Sequence, residues 1–190
     1  MRGLLVTVVV PNGWNHQISD GGEPTARFVL AEQWLLGHGE AARGGVRQTK
    51  LTLAGSAGYL TEGSAAISTR WGRIQTPWWS FNPELGDYSP APVAPVSGIS
   101  LGSPEVYGFV GARVKLRAYN ALLQGQFRHS DVRVASNDFA RVQGEIWAGV
   151  TTAFYEWQVT YSVHAASREI KDKPADRSLV WASVSFVRAF

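Results

Sequence analysis

Cysteine is absent from the 190 residues, methionine occurs once, and lysine is scarce. Without cysteine there is no disulfide framework and no thiolate chemistry, and passage through an oxidising compartment such as the periplasm is tolerated. No run of 18 apolar residues exists, which excludes a helical membrane span. That test is blind to β-barrels, in which only alternate residues of each strand must be apolar. A hydrophobic content of 45% and a mean hydropathy of −0.10 therefore leave soluble and membrane barrels equally open. Heptads, repeats of 20–50 residues and domain linkers are missing too, so residues 1–190 read as one domain. There is no His-x-x-x-His pair. The net charge is +3, but the basic residues are spread singly along the chain, and no nucleic-acid partner is expected.

Aromatic residues, at 12% with eight Trp and six Tyr, are plentiful. Trp and Tyr concentrate at membrane–water interfaces, where an apolar ring with a polar tip suits the headgroup level. The dominant signal is period-two alternation. Between Tyr155 and Ala165, one face carries Tyr155, Trp157, Val159, Tyr161, Val163 and Ala165, and the other carries Glu156, Gln158, Thr160, Ser162 and His164. Gly108–Asn120 sets Val110, Ala112, Val114, Leu116 and Ala118 against Arg113, Lys115, Arg117 and Tyr119. Val142–Val150 alternates similarly, with Gln143, Glu145 and Trp147 on the polar side. Leu51–Tyr59 and Ser64–Arg73 form a further pair around a turn expected at Thr61-Glu62-Gly63, and another tight turn is expected at Ala153-Phe154. Phe28–Leu35 is a weaker strand and Leu179–Phe190 closes the chain, making seven strands, with Leu4–Val10 a possible eighth. Stretches 121–140 and 166–177 are longer and polar, and 74–106 is rich in Pro, Gly and Ser. Short turns at one end and long loops at the other are the barrel expectation.

The expected fold is all-β: an antiparallel transmembrane outer-membrane β-barrel, with about seven or eight strands here. A soluble sandwich or lipocalin-like barrel alternates as well, with its apolar side inward. Three cations on one side of a single strand favour a wet bore on that side. The chain ending adds to this. Val180, Ala182, Val184 and Phe186 alternate towards a terminal Phe190, similar to the last strand read by the outer-membrane assembly machinery, with Arg188 departing from that pattern. Met1–Val10 begins like a signal peptide but is short and lacks a small-residue cleavage site. It reads better as a strand remnant or as a start codon inside a longer frame.

Several segments in order carry a family likeness. Pro11-Asn12-Gly13-Trp14-Asn15-His16-Gln17-Ile18 precedes Glu23-Pro24, and Arg70-Trp71-Gly72-Arg73 precedes Pro77-Trp78-Trp79-Ser80-Phe81-Asn82-Pro83. Tyr107-Gly108-Phe109-Val110-Gly111-Ala112-Arg113 is followed by Tyr119-Asn120 and Leu122-Leu123-Gln124-Gly125, then by Gly144, Gly149, Tyr161 and Phe190. Together these segments resemble the C-terminal portion of the outer-membrane lipid A 3-O-deacylase family. The resemblance implies a complete barrel of about twelve strands that hydrolyses the 3-O-linked acyl ester of lipid A in a calcium-dependent reaction. In that family the catalytic His, a nearby Glu, the Asn-Asp pair for the metal and a Ser precede the Gly-Trp segment. They have no counterpart here, so no catalytic or metal residue is assigned, and the chain is expected to be inactive by itself.

Residues 11–24 would lie near the outer rim, which makes Trp14, Gln17 and Glu23 the candidates for substrate-side contacts. Asp20 with Glu23 is too thin a carboxylate pair for calcium, which takes six to eight oxygens. Of the four His residues, His16 sits beside Trp14 at a position that varies in the family. His38 lies in a Gly-rich connection, His129 lies on a polar loop, and His164 shares a polar strand face with Glu156 and Gln158, where a lumenal hydrogen-bond network is expected. Trp78 and Trp79 read as plug or interface packing, because strand parity places 74–106 on the periplasmic side. The expected partners are outer-membrane lipid, lipid A and the assembly machinery. A rival reading is a small non-catalytic barrel of seven or eight strands with a structural or binding role, with residues 1–10 pairing with the strand that ends at Phe190; another is a soluble ligand-binding barrel, which would purify without detergent.

Overall fold

The computed structural model describes residues 26–86, 104–124, 140–170 and 177–188. Seven strands form one antiparallel sheet in chain order: β1 Arg27–Ala41, β2 Gly45–Gly58, β3 Leu60–Arg73, β4 Glu105–Asn120, β5 Val142–Phe154, β6 Trp157–Ala166 and β7 Leu179–Arg188. Every neighbour in the sheet is also the neighbour in sequence, as in an up-and-down barrel wall. Among the described residues β1 and β7 do not pair with each other, so the sheet is open there. No helix is long and apolar enough to cross a membrane, which says nothing of strands.

Alternation decides which face is covered, and β4 shows the sense. Val114 and Leu116 are 52% and 60% exposed, whereas Arg113, Lys115 and Arg117 on the opposite face are 3%, 7% and 6% exposed. The same inversion holds in β5, where Ile146 and Val150 face outward and Glu145, Trp147 and Thr151 are buried. Burying a Val, Leu or Ile side chain is worth about 1.5–3 kcal/mol. A fold that exposes row upon row of them and covers its cations is stable only where the outside is apolar. At the end carrying the β5–β6 turn, Trp71, Phe154, Tyr155, Trp157 and Phe186 are exposed together, as in an interfacial aromatic girdle.

Large and small residues alternate across strands on the covered face. Trp147 of β5 lies opposite Gly111 of β4, and Phe109 of β4 lies opposite Gly149 of β5. A Cβ at Gly111 would meet the Trp147 ring at 2.4 Å; one at Gly149 would meet the Tyr161 carbonyl oxygen at 2.3 Å and the Phe109 ring at 2.4 Å. The rings thus occupy the space that side chains at the glycines would need.

Several boundaries differ from the sequence expectation. Thr61-Glu62-Gly63 is not a turn: these residues belong to β3, and the chain reverses at Tyr59 after Gly58, which takes φ 136°. Glu62 is drawn into the strand because its carboxylate, 4% exposed as a residue, bonds Arg27 and Arg117 inside. The second tight turn falls at Tyr155-Glu156 rather than Ala153-Phe154, with Tyr155 at φ 53°, so β6 begins at Trp157. β1 continues to Ala41 through a register shift between Leu35 and Gly37, which puts His38 on a strand and not in a connection. Long and short connections are not segregated by end, since the 74–104 connection leaves from the same end as the short turns at 42–44 and 155–156. Leu4–Val10 lies outside the described residues.

Candidate functional site

A strand face that gathers cations must supply them with anions, and the covered face of this sheet does so in three centres. The first is built by the segment after β3. Ile74–Gly86 turns back onto the concave face through two single-turn 3-10 segments, Trp78–Ser80 and Pro83–Leu85. Its entry is fixed by Glu105 of β4, whose Oε1 accepts from the Gln75 and Thr76 backbone N–H groups at 3.2 Å each and from the Thr76 hydroxyl at 2.7 Å. Arg70 of β3 grips the same turn, donating to the Thr76 carbonyl at 2.7 Å and hydroxyl at 3.0 Å. Phe81 packs edge-on against Tyr107 and Phe109.

Glu84, 1% exposed, ends this inward fold. Its carboxylate meets Lys50 at 2.8 Å and accepts from Thr52 at 2.7 Å, Ser68 at 3.0 Å and Gln33 at 3.1 Å. Its backbone carbonyl accepts from Arg113 at 2.6 Å. One acidic residue thereby ties β1, β2, β3 and β4 to the segment that covers them. Removing one partner of such a buried pair typically costs 3–5 kcal/mol.

The second centre lies over β4–β7. Glu145 of β5 is bound by Arg113 and is 3.4 Å from Lys115. Its other oxygen lies 3.2 Å from Nδ1 of His164 on β6. His164 Nε2 is 3.1 Å from Ser162 Oγ, and Ser162 Oγ is 2.8 Å from Ser183 Oγ on β7. Trp181 stacks on the imidazole at 5.0 Å and 11°, and Trp147 flanks it at 6.3 Å and 29°. A third ionic cluster, Arg27–Glu62–Arg117–Glu169, closes the opposite end of the sheet from the 74–86 segment.

The structure places the sequence candidates unevenly. Trp14, Gln17 and Glu23 lie outside the described residues, as do His16, Asp20 and His129. His38 is exposed on β1 and contacts Gln48. His164 does sit in a polar network, but its acidic partner is Glu145 across the sheet. Glu156 is in the β5–β6 turn, exposed and paired with Arg188, so the expected grouping of His164 with Glu156 is corrected. Trp78 is half-buried and Trp79 is 59% exposed, while Phe81 and Glu84 of the same segment are buried. Sequence reading missed Glu84; the signal for it was an acid within the Pro-rich stretch, facing a chain whose strands carry buried cations.

Calcium can be tested against the donors present. No group of three or more His, Asp or Glu that could hold a metal occurs among the described residues. Glu62, Glu84 and Glu145 each already face one or more cations, and Glu105 binds a backbone turn. Six to eight converging oxygens are not offered, so these donors do not fit calcium and no step is routed through it.

Comparison with known proteins gives one family. The family model described as "Outer membrane protein LpxR" matches residues 5–190. No curated protein matches. Among solved structures, LpxR from Salmonella typhimurium superposes with a TM-score of 0.58 at 13% identity, covering 87% of this chain and 52% of that one. The chain thus spans about half the length of that relative. With its lipid-suited exterior, its polar interior and a family match over nearly all its length, this chain belongs to the LpxR family of outer-membrane β-barrel proteins.

Proposed function

We propose that residues 1–190 form a single unit, the C-terminal wall of a lipid A 3-O-deacylase barrel, and that the complete barrel hydrolyses the 3-O-linked acyl ester of lipid A with calcium. The observation that carries this reading is strand parity. Among the described residues seven antiparallel strands follow in sequence order, and β1 and β7 run in the same direction. An antiparallel barrel therefore closes only by adding an odd number of strands. Two copies of this sheet set in the same orientation across the membrane would meet in parallel seams, so a like-oriented second copy does not complete it. Five further strands give about twelve in all, an even number as in bacterial barrels, and superposition on about half of a longer relative supports that width. Parity also admits one added strand and a small non-catalytic barrel, the runner-up; the extent of the match favours the wider one.

In this reading the chain's own residues do structural work at the site: Glu84 and Glu105 hold the inner segment, and the cation rows keep the wall rigid. Trp14, Gln17 and Glu23 are the proposed contacts to lipid A at the outer rim. The C-terminal strand is proposed to engage the barrel assembly machinery. Calcium ligands and the catalytic His are proposed to belong to the strands and loops that the family carries ahead of the Gly-Trp segment.

The test joins the chain to the other half of the barrel, whether encoded upstream of Met1 or separately, in a Gram-negative host. Lipid A is then examined by mass spectrometry. Loss of one acyl chain with Ca²⁺, none with chelator, and none from the 190-residue chain alone is the expected pattern. Unmodified lipid A from the joined form overturns the reading, and so does chelator-insensitive cleavage.

A further inference from the structure

We propose that Ser162, His164 and Glu145 form a second, ester-reactive centre inside the sheet, with Ser162 as nucleophile towards small carboxylic esters. This inference stands on the side-chain geometry alone and does not rest on the lipid A reading.

The positions of the protons follow from the partners. Arg113 and Lys115 both contact Glu145 and hold it as a carboxylate, which can only accept hydrogen bonds. Nδ1 of His164, 3.2 Å from Glu145 Oε1, must then be the protonated nitrogen. In the neutral ring Nε2 is left as an acceptor, and the hydroxyl 3.1 Å away is Ser162. Ser162 therefore donates to His164, while Ser183, at 2.8 Å, can donate to the Ser162 oxygen. The chain carboxylate, Nδ1–H, Nε2, hydroxyl is the order in which an acid orients a His base against a serine, and such a triad is recognised by geometry rather than by sequence order.

Two further features fit a base. The imidazole is fixed by stacking on Trp181, at 5.0 Å and 11°, with Trp147 beside it. Aromatic faces favour the cation that forms when His164 takes a proton. Among the described residues, segment 74–86 over β1–β4 makes no hydrogen bond to Ser162, Ser183 or His164, which bond to one another and to Glu145.

The step balances as follows. Ser162 Oγ bonds to the ester carbonyl carbon as its proton passes to His164 Nε2. The carbon–oxygen bond to the leaving group then breaks, and the departing alkoxide takes that proton. Water repeats the sequence on the acyl-serine, releasing the acid and restoring Ser162.

The test treats the full chain, purified in detergent and shown to be folded by its heat-dependent gel mobility, with a fluorophosphonate probe. Peptide mass spectrometry locates the adduct. The expected result is modification of Ser162, abolished in Ser162→Ala and slowed at least tenfold in His164→Gln, with the same order for p-nitrophenyl acetate hydrolysis. Ser183→Ala still gives an adduct on Ser162, formed more slowly, since Ser183 assists the nucleophile and does not replace it. Absence of an adduct on Ser162 in the folded wild-type chain overturns the proposal. Labelling that is indifferent to His164→Gln overturns it equally, because a structural hydrogen-bond network would confer no base-dependent reactivity.

Discussion

Replacing Glu84 by alanine separates a structural anchor from a passive loop residue. The carboxylate lost is 1% exposed and holds Lys50, Thr52, Ser68 and Gln33. Breaking one side of a buried ion pair costs about 3–5 kcal/mol when the other charge is stranded. Here Lys50 is not wholly stranded, because it also donates to the Phe81 carbonyl and, at 2.8 Å, to Asn82 Oδ1. The lower end applies, about 3 kcal/mol, which is roughly a 150-fold change in the folding equilibrium. Unfolding by urea in lipid vesicles, followed by Trp fluorescence, reads this shift. Glu84→Gln, which keeps one acceptor oxygen but not the charge, should fall between wild type and alanine. The paired change Lys50→Met with Glu84→Leu should recover most of the loss, since apolar replacement of both partners is often neutral. A Glu84→Ala shift below about 1 kcal/mol, the level of an exposed pair, would refute the view that this residue pins the inner segment to four strands.

The glycines opposite aromatic rings make a second prediction. Gly149→Val, whose Cβ would sit 2.3 Å from a carbonyl oxygen, should lower stability by about 3 kcal/mol or prevent folding. Gly63→Ala, with nothing within 4 Å, should stay within about 0.5 kcal/mol in the same urea assay. On the outer face, Val114→Arg should cost about 2–4 kcal/mol in vesicles, the expense of a cation near the bilayer midplane.

Period two made the faces of the strands legible. The outward Val110, Val114 and Leu116 and the inward Arg113, Lys115 and Arg117 fall where their alternation puts them. What alternation does not encode is register, so His164 was grouped with Glu156 on its own strand while its partner, Glu145, lies on β5. Turns went astray for a related reason. Glu62-Gly63 has the composition of a turn, yet Arg27 and Arg117, distant in sequence, draw Glu62 into β3. Tyr155 carries no local turn signal, yet it takes the positive φ. The Pro-rich segment was legible as irregular backbone. Its return into the bore depends on Lys50, Ser68 and Arg113 converging on Glu84, a convergence that exists only once the sheet is formed.

The account stands on side chains of opposite character looking to opposite sides of one wall. Because the chain has no cysteine, single cysteines at positions 110 and 112 to 115 can carry nitroxide labels, and collisions with oxygen or with a water-soluble nickel chelate report lipid or water. High oxygen access at Val110, Ala112 and Val114, with low access at Arg113 and Lys115, is expected in vesicles. The opposite phase, or no alternation along β4, would contradict it.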